Sequence, residues 1–131
     1  MAFSIDLDRP LDEVEPVLRA RLADEGFGVL TEIDVQATLR AKLGVEVPRK
    51  RILGACNPRL AHAALSAEPD IAVLLPCNVV LSQLPEDRTR VQFLDAGAAM
   101  EVVGNPDLGP IGREASERMH RVAGRLREEI R

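Results

Sequence analysis

Aromatic side chains are almost missing from this sequence, which has three Phe and neither Tyr nor Trp. The core must therefore be assembled from Leu, Val, Ile and Ala. Surfaces that stack the bases of single-stranded nucleic acid are built from aromatic faces, and this chain has few to offer. A cationic excess is missing as well: the net charge is −4, whereas neutralisation of phosphates dominates general nucleic-acid affinity. Together these absences exclude a general nucleic-acid binder. No run approaches the roughly 18 consecutive apolar residues of a membrane span. Only two cysteines are present, and Met1 to Asp6 lack the basic stretch and apolar segment of a secretion signal. The expectation is a cytoplasmic protein with free thiols rather than a disulfide framework.

What remains is ordinary globular material, with 131 residues, 46% hydrophobic and 29% charged. That length supports a single domain over residues 1–131 with one core. Phe3, Ile5 and Leu7 alternate with polar residues as in a strand. Asp8 and Pro10 signal a helix whose apolar face is Leu11, Val14, Leu18 and Leu22, with Gly26 as its stop. Pro16 conflicts with that helix, since an interior proline costs about 3 kcal/mol, and the spacing favours a regular helix that begins close to Pro16. Phe27, Val29, Thr31 and Ile33 alternate as a second strand, and Asp34 to Gly44 reads as a short capped helix. Arg51 to Cys56 reads as a buried strand, followed by a helix opening at Asn57-Pro58 and running through Leu65. The apolar run Ile71 to Leu84 contains Pro76, which implies an edge, a bulge or a break. A strand carrying Thr89, Val91 and Phe93 on one face follows. A long final helix has the stripe Ile111, Ala115, Met119, Val122, Leu126 and Ile130. This order favours an α+β fold: a mostly antiparallel sheet with helices packed on one face.

Four segments carry a likeness. Gly26 to Leu30, Glu32 to Val35, Ile52 to Pro58 and Leu74 to Val79, in this order and spacing, resemble the bacterial and archaeal domain-of-unknown-function family 302 from about Ile5 to Leu94. The resemblance implies a TATA-binding-protein-like two-layer fold, often as a homodimer, with no established activity. The family often has Asp-Pro after its last strand, where this chain has Asp95-Ala96, so nothing is carried over beyond Leu94.

The candidate chemistry lies in two Cys-Asn motifs. Cys56 precedes a helix start, where the dipole favours a thiolate, and Cys77 lies in an apolar run, where burial opposes one. If their strands are neighbours, the two thiols can form a redox pair; otherwise both are small core residues. Asn57 reads as a helix cap, and Asn78 as a buried amide that serves irregular backbone or lines a pocket. From Arg40 to Arg59 six basic residues face one acid, giving that segment +5 and the remainder −9. A basic segment leading into a helix start suits an anion. The ligand site expected on these grounds combines Cys56, Asn57, Cys77 and Asn78 with Arg49, Lys50 or Arg51 at its rim. A zinc site from Cys56, His62, Cys77 and His120 lacks the paired spacing such sites use, and no cofactor is indicated. The functional expectation is a small binding module for an anionic molecule or a protein partner. Its rivals are a thiol enzyme or redox sensor using Cys56 and Cys77, and a purely structural dimer.

Overall fold

The structure, a computed structural model, describes residues 1–130. Its strands are β1 (Ala2–Leu7), β2 (Gly28–Asp34), β3 (Lys50–Cys56), β4 (Cys77–Leu84) and β5 (Arg88–Leu94). The helices are α1 (Leu11–Asp24), α2 (Val35–Leu43), α3 (Pro58–Ala67), α4 (Ala96–Glu101) and α5 (Gly109–Glu129). The strands form one five-stranded sheet in the order β1-β5-β4-β3-β2, and every neighbouring pair is antiparallel. The expected α+β class is borne out. Among the described residues no helix is long and apolar enough to cross a membrane.

Side-chain alternation decides which face of the sheet is covered. Ile5, Leu7, Leu53, Ala55, Val79, Leu81, Val91 and Phe93 point to one face and are buried. Over them lie Leu11, Val14, Leu18 and Leu22 of α1 and Ala115, Met119, Val122 and Leu126 of α5, all buried as the helical period requires. Burying a Leu or Val side chain fully contributes about 1.5–3 kcal/mol, so these stripes hold both helices down. At the rim, Arg21 reaches Glu129, Arg125 reaches Asp24, and Arg121 reaches Glu25. As the α1 numbers rise the α5 numbers fall, so the two helices run antiparallel. The opposite face is largely bare, and α2 lies against part of it.

Two local expectations change and a third is resolved. Helix α1 begins at Leu11 and passes through Pro16. The proline ring faces solvent, while Leu11 and Val14 in the turn before it are buried to 1% and 0% exposure. Their burial, roughly 1.5–3 kcal/mol each, offsets the roughly 3 kcal/mol that an interior proline costs. Strand β2 does not alternate cleanly, because its register shifts between Val29 and Thr31. This bulge leaves Val29 on the covered face but turns Thr31 and Ile33 to the bare one, and brings Glu32 round to Arg19 and Arg51. The apolar run around Pro76 resolves as a break: a 3-10 helix (Pro69–Leu74) precedes a cis Leu75–Pro76 bond, and β4 starts at Cys77. That frees β4 to be a central strand.

Gly54 joins these features. It sits opposite Asn78 in the β3–β4 pair and opposite Thr31 in the β2–β3 pair. A methyl group there would lie 2.7 Å from the Pro76 ring and collide with the Thr31 side chain. The Gly54→Ala variant is therefore expected to lose about 1–3 kcal/mol of stability through overpacking, read from urea unfolding. Unchanged stability would show that Pro76 and Thr31 yield without cost.

Candidate functional site

Asn57 closes off one end of the sheet. Its carboxamide oxygen accepts from the Leu60 N–H at 3.3 Å, capping α3, and its amide nitrogen donates to the Glu25 carbonyl at 3.2 Å. With 8% exposure and both ends bonded, Asn57 is a structural tie. Cys77 is buried and pairs with Ala55 on the covered face. Burial pushes its thiol above the ordinary value of 9.0, and the nearby Cys56 adds to the rise. Cys56 is half-buried, opposite Gly28, and the pleat turns it away from the face that Cys77 uses. The void bordered by Cys56, Asn57, Pro76 and Cys77 measures about 20 Å³, room for about one water molecule. Asn78 is exposed rather than buried, because even-numbered β4 residues point to the bare face. It lines an open groove of about 350 Å³ with Pro76, Leu75, Val73 and Leu94.

The basic segment lies at the other end of β3. Seven residues separate its terminal positions inclusively, about 20 Å at the usual strand rise, so the Cys-Asn motifs and the basic residues do not share one pocket. Arg49 makes a bidentate pair with Asp12 of α1, at 3.0 and 2.7 Å. Arg51 points to the covered face and pairs with Glu15 and Glu32. Arg40 holds Glu46, and Arg59 holds Glu114. Among the described residues, Lys42 and Lys50 are in no ion pair. Most of the local +5 is thus matched by carboxylates from elsewhere in the chain.

Lys50 faces a cleft of about 440 Å³ between α2 and the bare sheet face. Strand register sets the floor. Lys50 is opposite Ser82, Ser82 is opposite Arg90, and Arg90 is opposite Asp6, forming one row across four strands. Gln92 lies in the next row, opposite Val80 and Ser4. Arg90 grips Asp6 at 2.8 and 3.0 Å, which raises the guanidinium above its ordinary value and holds the carboxyl below the usual 3.8. The Ser82 hydroxyl is screened from solvent and has no hydrogen-bond partner among the described residues. Leaving such a group unsatisfied costs about 1–3 kcal/mol. Val35 and Leu39 of α2, with Val47 and Leu84, supply apolar walls. Gln83 also borders the cleft, but its amide is committed to the Leu11 N–H and to the Leu84 and Arg88 carbonyls.

Of the residues singled out by sequence, the cleft takes in Arg49 and Lys50; it adds Ser82, Arg90 and Gln92, which sequence reasoning did not select. Their signal was the buried alternation of Val79 and Leu81, and of Val91 and Phe93, which assigns the intervening residues to the other face. Which of those residues stand side by side depends on register. Among the described residues no group of three or more His, Cys, Asp and Glu side chains is placed to hold a metal ion. His62 is exposed on α3, and His120 is stacked on Phe3 with ring centres 3.8 Å apart.

Comparison with known proteins gives a structural likeness and a family match. The fold resembles the crystal structure of an uncharacterized conserved protein, DUF302, from Bacillus stearothermophilus. That likeness has a TM-score of 0.86 and 25% identity over 99% of this chain and 98% of the other. No curated protein matches the chain. The family model extends well past Leu94, where the motif resemblance stopped, into α5. With residues 3–126 matched, the chain belongs to the family described as domain of unknown function DUF302.

Proposed function

We infer that this protein is a small-molecule binding module whose site is the cleft between α2 and the bare sheet face, and whose ligand is a small organic anion. The observation that carries this reading is the Lys50–Ser82–Arg90 row. It combines an ammonium with no ion-pair partner among the described residues, a screened hydroxyl without a hydrogen bond, and a guanidinium fixed by Asp6. A cleft of about 440 Å³ falls within the usual range for small-ligand sites, about 300–1,000 Å³. The 20 Å³ void beside Cys56, Asn57 and Cys77 does not; the 350 Å³ groove at Asn78 does, but no Lys or Arg lines it, and the raised thiol of Cys77 weakens the redox alternative.

Equilibrium binding of a panel of organic anions to the native protein tests the reading. Binding is expected, with Lys50→Gln weakening it about tenfold or more, the scale of a hydrogen bond to a charged group. Absence of binding by every anion, or equal binding by the Lys50→Gln variant, would remove it. The homodimer that the family resemblance implies also finds support on this face, where Ile33, Ile52 and Val80 form an apolar row next to the cleft. Sedimentation of the native protein is expected to give a dimer that Ile52→Lys dissociates. A monomer at all concentrations would end that part of the proposal.

A further inference from the structure

We propose that the ligand class is a monocarboxylate with an extended apolar body, such as a medium-chain aliphatic acid. This inference rests on the cleft reading above and adds the head group and the tail. The head group follows from a charge count. Asp6 neutralises Arg90 in a bidentate pair, and Asp12 neutralises Arg49 in another. Lys50 is left as the one cation at the cleft without a carboxylate among the described residues, so the site is matched to a single negative charge. A second charge on the ligand would have no cation of its own and would stand near the Asp6 carboxylate, in the same row as Ser82 and Arg90.

Geometry selects a planar, two-oxygen group. Lys50 and Ser82 are directly opposed on adjacent strands, about 4.8 Å apart. One carboxylate oxygen can accept from the Lys50 ammonium while the other, displacing the side chains that screen it, accepts from the Ser82 hydroxyl and supplies the hydrogen bond that hydroxyl lacks. The tail follows from the walls. Val35 and Leu39 project from α2 onto the cleft, and Val47 and Leu84 close it. None of these four offers a side-chain polar group, so a hydroxylated or multiply charged body would lose hydration there without compensation.

Calorimetric titration with butanoate, hexanoate, octanoate and decanoate, their primary amides, the matching dicarboxylates and n-alkyl phosphates tests the assignment. It uses native protein, Lys50→Gln and Leu39→Ala. Monocarboxylate affinity is expected to rise about fourfold per added methylene until the cleft is full. Amides should bind about tenfold more weakly than the acids to native protein, and equally with the acids to Lys50→Gln. Leu39→Ala should flatten the chain-length dependence. Tighter binding of dicarboxylates or alkyl phosphates, still weakened by Lys50→Gln, would overturn the monocarboxylate and leave the anion cleft standing. Failure of every anion to bind overturns both. Affinity that follows chain length alone, indifferent to head group and to both variants, also overturns both, because it reports apolar adsorption elsewhere on the protein.

Discussion

The structure turns on the pairing of β3 with β4, locked where the Pro76 ring and the Thr31 side chain fill the space that a side chain at Gly54 would need. A one-residue slip in an antiparallel pair would send every side chain of one strand to the wrong face. Here a slip of β3 would drive Lys50 and Ile52 toward the helices and expose Leu53, which is fully buried. The same register that builds the core therefore also builds the row on the other face. Lys50, Ser82, Arg90 and Asp6 are neighbours because Leu53, Val79, Phe93 and Phe3 are.

Coverage of the sheet is one-sided, and this separates structural from chemical roles. Helices α1 and α5 take the apolar face, and the α1 carboxylates Asp12 and Glu15 draw Arg49 and Arg51 toward that helix. These exposed or partly exposed pairs add little stability. Their larger effect is positional, since they remove two cations from the basic segment and leave Lys50 alone on the bare face. Asn57 plays the corresponding part at the far end, where its two hydrogen bonds tie α3 to the end of α1 and close the space around the cysteines.

Much of the architecture was legible in the residues. The stripe on α5, the cap-plus-proline start at Asn57-Pro58 and the alternation of β5 each follow from a short-range rule, and each is found. Pro16 and the β2 bulge were not legible, because both depend on long-range packing: the first turn of α1 stays helical through the burial of Leu11 and Val14, and Thr31 changes face to meet Gly54. The site was legible only in part. A local excess of charge marked Lys50 and its neighbours, but sequence carries no sign that Asp12 and Glu15 would claim Arg49 and Arg51. The Cys-Asn motifs drew attention by their chemistry, whereas Gly54, Pro76 and Asn57 within and beside them have clear packing roles. Ser82 and Arg90 were hidden because cross-strand register cannot be read from one strand at a time.

Residue-resolved chemical-shift mapping of the native protein titrated with octanoate is the most direct test of where ligand chemistry resides. The account predicts saturable shifts at Lys50, Ser82, Arg90 and Gln92 and along the Val35–Leu39 side of α2, with Cys56, Asn57 and Cys77 unmoved. Shifts centred on Cys56, Asn57 and Cys77, with the Lys50–Ser82–Arg90 row silent, would contradict it and return the search to the other end of the sheet.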